Sequence, residues 1–325
     1  MHQLRSIDTS QCYYFKKDEA VLMKIIHIKD NDHELITEPL CAAIGNFDGV
    51  HLGHQKLIEE CKRHGYKSAV LTFYPHPSVF LKKIPDYKLI TPIEHKADIF
   101  SRMGIDYLII VEFNEDIAKI SKETFMAWMK RMNIKSCVCG YDFTFGRKAE
   151  GTIVDLAKEF EFYEVKKYIF DDVRVSSTYI RELISLGEVE KVNRMLGRTF
   201  SIRGTVNYGT QNGRLIGFPT ANVDYKNYFL PANGVYFVTV QIERANYFGM
   251  CNIGNNPTFN YSFERKLEVN IFGLDEDIYG GSIEVFFHKR IRNEIAFASK
   301  EALISQLETD RKVCYRLSSE INFTK

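Results

Sequence analysis

Residues 44–54 read Ile-Gly-Asn-Phe-Asp-Gly-Val-His-Leu-Gly-His, and no other segment carries residue types so well suited to chemistry. Gly45, Gly49 and Gly53 let a backbone turn tightly and approach a ligand closely. His51 and His54 stand three apart where a helical pattern begins, so they share one face of that helix. Both can point at an anion held at the helix N-terminus, where free N–H groups and the dipole favour negative charge. That is the chemistry of a nucleotide phosphate site without a Walker lysine. The plainer alternative is a glycine-rich turn with incidental histidines; glycines and paired histidines directly after a strand favour the phosphate site. A second segment, Val175-Ser176-Ser177-Thr178-Tyr179-Ile180-Arg181, puts hydroxyls before an amphipathic run, which starts a helix. Its hydroxyls and N–H groups can cradle phosphate, and Arg181 adds a planar fork suited to phosphate oxygens. Taken alone, it reads equally as an N-cap followed by a solvent-facing arginine.

Elements that alternate in type must position these residues. Met23 precedes a first strand, Lys-Ile-Ile-His-Ile. Further apolar runs at Cys41–Ile44, Ser68–Phe73, Tyr107–Val111 and Ser136–Gly140 read as strands. Helical patterns lie between them at His54–Arg63, Ile93–Arg102 and Lys122–Met132. Short apolar strands separated by helices imply a doubly wound parallel sheet, with ligands beyond the carboxyl ends of its strands. Gly45–His54, Tyr74–Pro77 and Tyr141–Gly146 all follow strands and can converge on one crevice. From about Phe200 the texture changes. Strands at Ser201–Asn207, Gly234–Arg244, Phe248–Ile253, Lys266–Phe272 and Ser282–His288, separated by Gly/Asn/Pro turns, imply a small antiparallel barrel. Ser299 can cap a closing helix to about Leu317. The expected fold is α/β plus β: a Rossmann-like domain over 23–196, then a small antiparallel β-barrel domain with a terminal helix over 197–325, joined near Gly197. Residues 1–22 are expected to be a disordered extension outside the fold.

Bulk properties narrow the class. The 325 residues suffice for two domains, and 45% hydrophobic content supports a substantial core. A net charge of +1 gives no pull toward nucleic acid or membrane, and no apolar run approaches the ~20 residues that span a bilayer. Residues 1–22 lack the apolar core of a secretory signal. Seven scattered cysteines, with no zinc-finger spacing, fit reduced buried thiols in a cytoplasmic protein. A monomer or weak homo-oligomer is expected, with no nucleic-acid partner.

Seven ordered motifs carry a family resemblance. GNFDGVHLGH, TFYPHP, GYDFTFG and VSSTYIR resemble the adenylyltransferase module of the bifunctional prokaryotic riboflavin kinase/FMN adenylyltransferases, also called FAD synthetases. GFPTAN, NIGNNPT and LEVN then follow in the order of that family's kinase module. The resemblance covers roughly residues 23 to 317.

The resemblance implies two reactions: riboflavin with ATP gives FMN and ADP, and FMN with ATP gives FAD and pyrophosphate. In the first module, His51 and His54 would hold the ATP phosphates and stabilise the charged transition state. Gly45, Phe47 and Gly49 would line the loop, and Asp48 would order it or a metal ion. Asp142 would contact ribose or phosphate, and Ser177, Thr178 and Arg181 would bind the triphosphate. Phe73, His76, Pro77, Phe113, Phe143 and Phe145 are flavin-pocket candidates, because an isoalloxazine ring needs flat apolar walls; for each aromatic alone, core packing is the plainer reading. In the second module, Gly217, Pro219, Thr220 and Asn222 would bind ATP, and the hydroxyl and carboxamide oxygens of Thr220 and Asn222 suit Mg²⁺. Glu268 would be the general base for the riboflavin 5′-hydroxyl and would contact flavin. Leu267, Val269 and Ile271 would face the core, while Glu268 and Asn270 would face the site. Asn207, Gly209 and Gly213–Gly217 would cover phosphates. Arg290 and Arg292 are surface charges or flavin contacts. Asn270 stands where the family frequently has histidine, and Phe272-Gly273-Leu274 replaces a usual Asp-Phe.

Overall fold

The computed structural model describes residues 13–14, 23–29, 36–209, 213–255 and 265–321. Packing divides the chain into two compact units: Met1–Tyr87 with Thr91–Val175, and Lys88–Ile90 with Ser176–Lys325.

The first unit is built on a seven-stranded sheet. Its strands run in the order Tyr13–Tyr14, Lys24–Ile28, Tyr107–Glu112, Lys67–Tyr74, Leu40–Ile44, Ile134–Gly140 and Glu161–Val165. Every neighbouring pair is parallel except Tyr13–Tyr14, which runs antiparallel to Lys24–Ile25. That pair falls inside the extension expected over 1–22, whose remaining residues lie outside the described ones. Leu40–Ile44 is buried along its whole length, as a parallel strand covered on both faces must be. Its side chains alternate between two cores: Ala42 and Ile44 pack in one, Cys41 and Ala43 in the other. The helices Leu52–Cys61, Ile93–Arg102 and Lys122–Arg131 lie between the strands in sequence. From Leu40–Ile44 the chain steps to Lys67–Tyr74 and Tyr107–Glu112 on one side, then reverses to Ile134–Gly140 on the other. The reversal leaves a crevice at the carboxyl ends of Leu40–Ile44 and Ile134–Gly140.

The second unit closes six antiparallel strands into a barrel, ordered Phe200–Asn207, Ala221–Asp224, Arg265–Ile271, Ala245–Asn255, Gly234–Ile242 and Ser282–Arg292. Closure comes from pairing of the last strand with the first. Ala221–Asp224 has only four residues, too few to show a period in sequence. The helix Lys300–Ser318 is capped by Ser299, whose hydroxyl accepts the Ala302 N–H at 3.1 Å.

The helices Ser177–Leu186 and Val189–Leu196 belong with the barrel, so packing draws the division at Ser176 instead of near Gly197. The physical reason is specific. The Asn193 amide donates to the Phe287 carbonyl at 2.9 Å and accepts the Phe200 N–H at 2.7 Å, and the Ala232 N–H reaches the Ile184 carbonyl at 3.1 Å.

Candidate active sites

In the first unit, the strand Leu40–Ile44 delivers the chain to the glycine loop at the crevice. The loop is wound tightly: Phe47, Gly49 and Val50 all have positive φ, at 51°, 89° and 42°. For Phe47 and Val50 this is a strained conformation, held because both side chains are buried in the core. His51 N-caps the helix Leu52–Cys61, its Nδ1 accepting the His54 N–H at 3.2 Å. That contact assigns the ring hydrogen to Nε2, which makes the outer nitrogen a donor to an anion. The His51 and His54 rings stack at 3.5 Å and 15°, and Phe47 meets His54 edge-on at 5.2 Å. Two imidazoles are thus brought together on one side of the loop.

The loop is fastened from below. Asp48 is 2% exposed and its Oδ1 accepts the Thr91 N–H at 3.2 Å. Lys96, also 2% exposed, donates from Nζ to the Asn46 carbonyl at 2.8 Å. Burial pulls its ammonium down to about 8 against the attraction of Asp48 and Glu94. Sequence reasoning missed Lys96 because it reads as one more charge on an amphipathic helix.

At the adjacent strand end, Asp142 pairs with Arg174, whose guanidinium lies 5.2 Å above the Tyr141 ring. Arg174 was also missed, although it directly precedes the Val175–Arg181 segment. The aromatic candidates form a chain: Phe73 meets Phe113 at 5.8 Å and Phe125 at 6.4 Å, Phe125 meets Phe145 at 5.1 Å, and Phe145 meets Phe143 at 6.0 Å. Phe113 and Phe145 are core residues, while Phe73 and Phe143 pack partly buried at the core's edge. His76 stacks on Tyr87 at 4.5 Å and accepts the Ser78 N–H, with Pro77 beginning the short helix after it.

In the second unit, Ser177 and Thr178 open the helix Ser177–Leu186, capped by Ser176 through the Tyr179 N–H at 3.3 Å. Arg181 donates to the Lys88 carbonyl and lies 4.6 Å over the Phe229 ring.

The barrel organises its polar residues by register. Asn207 stands opposite Asn222, Asn222 opposite Glu268, and Glu268 opposite Asn252. Four neighbouring strands therefore set three carboxamides and one carboxylate in a single row, at cross-strand spacings of about 4.5–5.5 Å. Leu267, Val269 and Ile271 are buried as alternation requires. Asn270 is also buried, and its Nδ2 donates to the Pro219 carbonyl at 2.6 Å, directly before Thr220. Thr220 lines a cavity of about 210 Å³ with Val206, Arg214, Pro219, Ala221 and Tyr279. Gly209 lies so close over Asn222 that a β-carbon there would stand 2.0 Å from the carboxamide nitrogen. Gly217 ends the Arg214–Ile216 turn in the left-handed region at φ 78°. Residues 210–212 of the expected phosphate-covering loop lie outside the described ones, as do residues 256–258 of the NIGNNPT segment.

Arg290 and Arg292 tie elements together. Arg290 donates to the Leu186 and Asn233 carbonyls. Arg292 forms a two-pronged pair with the buried Asp310 of the terminal helix.

Two family models match the chain in succession: FAD synthetase over residues 33–179 and riboflavin kinase over residues 196–318. The bifunctional riboflavin kinase/FMN adenylyltransferase of Bacillus subtilis strain 168 is 38% identical over 318 residues, covering 92% of this chain and 99% of its own. The chain belongs to that bifunctional family. The Escherichia coli K12 protein of the same description is 32% identical, covering 89% of this chain and 96% of its own. A solved Streptococcus pneumoniae structure, described as a macrolide-efflux protein, is 33% identical with a TM-score of 0.83, over 90% of this chain and 98% of that one. Among the described residues, no helix of this family member is long and apolar enough to cross a membrane.

Proposed function

We propose that this chain makes FMN from riboflavin and ATP in residues 197–325, and FAD from FMN and ATP in residues 23–196. The carrying observation is that both halves of the bifunctional family's pattern occur in one chain, over residues 33–179 and 196–318.

In FMN formation, the 5′-hydroxyl oxygen of riboflavin attacks the γ-phosphorus of ATP. The bond to the β–γ bridging oxygen breaks and ADP leaves. Glu268 takes the hydroxyl proton, with Asn222 and Asn252 directly opposite it in the strand register. The residues fit Mg²⁺: Thr220 and Asn222 offer hard oxygen donors. When bound, the ion supplies positive charge to the phosphates.

In FAD formation, a phosphate oxygen of FMN attacks the α-phosphorus of ATP, the α–β bridging bond breaks, and pyrophosphate leaves. The FMN phosphate is already anionic, so no strong base is required, and catalysis is positioning plus charge stabilisation. His51 and His54 donate to the phosphates, with Asp142 and Arg174 at the neighbouring strand end. The edge-of-core aromatics Phe73 and Phe143, with His76, form the flavin side. The six described cysteines are free and buried, which fits a cytoplasmic setting.

Incubation with riboflavin, ATP and Mg²⁺, resolving FMN from FAD, tests this directly. Both products are expected, FMN first. Absence of either product defeats the two-reaction reading.

A further inference from the structure

Lys96 has no part in the family pattern read from the sequence, yet it occupies an expensive position. An ammonium carries three donor hydrogens and strong hydration, and burying one costs several kcal/mol unless it is matched. Lys96 is 2% exposed, and its Nζ is spent on a backbone carbonyl, that of Asn46, which also accepts the Thr72 hydroxyl at 3.3 Å. Asp48 on the loop and Glu94 on its own helix are the charges that act on it. A packing role would be served better by a leucine or methionine at the same place.

The partner carbonyl belongs to a peptide with a particular job. The Asn46–Phe47 peptide is trans, so its carbonyl and its N–H lie in one plane and point in opposite directions. Phe47 is 1% exposed, and its N–H has no acceptor among the described residues. A buried N–H without an acceptor is rare and needs one. It opens the loop that ends in the His51 and His54 donors.

We propose that Lys96 is a positioning residue for adenylyl transfer: by holding the Asn46 carbonyl, it aims and polarises the Phe47 N–H on the other side of that peptide toward the nucleotide phosphate. A charge-assisted bond at one end of a peptide strengthens the donor at the other. The burial cost of the lysine, only partly met by Asp48 and Glu94, is further offset when an anion arrives at the loop. The inference rests on adenylyl transfer occurring in this unit.

The test uses the full chain with Lys96→Met and Lys96→Gln, assayed separately for FMN and FAD formation. For Lys96→Met, kcat for FMN-to-FAD conversion is expected to fall roughly 10- to 100-fold, as for loss of one oriented donor. KM for FMN should stay within about twofold, because the donor acts on the ATP side. Lys96→Gln keeps a donor for the carbonyl but no charge, and should recover about tenfold of the loss. FMN formation from riboflavin should be unchanged in both, which also reports folding. Removal of the buried charge should leave Tm at pH 7 equal to or above that of the wild type. If folded Lys96→Met keeps more than half of the wild-type kcat, the inference is overturned. It is overturned equally if FAD formation falls only in step with a lowered Tm. A wild-type chain that forms no FAD from FMN would instead defeat the assignment of the reaction to this unit.

Discussion

The two units hold their chemistry in opposite ways. In the parallel-sheet unit, the groups proposed to act sit on a loop beyond a strand end, shaped by positive φ at Phe47, Gly49 and Val50 and tied down by hydrogen bonds of Lys96 and Asp48. In the barrel, they sit on the strands themselves, and register alone lines up Asn207, Asn222, Glu268 and Asn252. A loop site depends on backbone conformation and on what buttresses it. A register site depends on ladder hydrogen bonds distributed over many residues. The loop should therefore be sensitive to single changes in its supports, and the barrel row to changes of the chemical residue or of a close backbone contact.

The largest expected effect separates the two sites. Glu268→Ala should lower FMN formation by about 10²–10⁴-fold, the usual worth of a general base, with FMN-to-FAD conversion retained. His54→Ala should do the reverse. Next, Gly209→Ala tests whether the barrel site needs a close backbone approach. Its β-carbon would lie 2.0 Å from the Asn222 amide, so FMN formation should fall roughly tenfold or more while FAD formation is spared. Asn270→Ala should act less strongly. It leaves the Pro219 carbonyl without its 2.6 Å donor, costing about 1–3 kcal/mol of order in the segment that presents Thr220, and the change should appear in KM for ATP.

The smallest effect is on stability. His288 is half-buried in the barrel and held neutral, its ring pulled down to about 4 by desolvation, with Thr239 at 2.9 Å. The unfolded chain takes up that proton near pH 6.5 and the folded barrel only near 4. Stability from this group is complete above pH 6.5 and lost as pH falls toward 4, by about 2 kcal/mol after allowing for partial exposure of the ring. Urea midpoints of wild type and His288→Gln between pH 7 and 4 check this: the substitution should flatten the fall.

The contrast also explains what could be read without coordinates. The glycine loop was legible because it is local: three glycines, two histidines and a preceding apolar strand fit in eleven residues. Strand alternation at Leu267–Ile271 was legible for the same reason. The row in the barrel was legible only in part, since Glu268 and Asn222 stood out but their alignment with Asn252 depends on pairing between distant segments. Lys96 and Arg174 were not legible. Their importance lies in burial and in partners 50 and 32 residues away, at Asn46 and Asp142. The helices Ser177–Leu186 and Val189–Leu196 read as the end of the first domain because helices dominate that half, whereas Asn193 and Ile184 fasten them to barrel strands. The short strand Ala221–Asp224 gave no period to detect.

A mixing assay tests most directly the claim that the chain carries two separable sites. Glu268→Ala and His54→Ala chains are each supplied with riboflavin, ATP and Mg²⁺, alone and then together, and FMN and FAD are resolved. The account predicts no flavin nucleotide from the first, FMN only from the second, and FAD when the two are mixed. FAD formed by either variant alone at more than about a hundredth of the wild-type rate, or none from the mixture of two folded proteins that each retain their other activity, would contradict it.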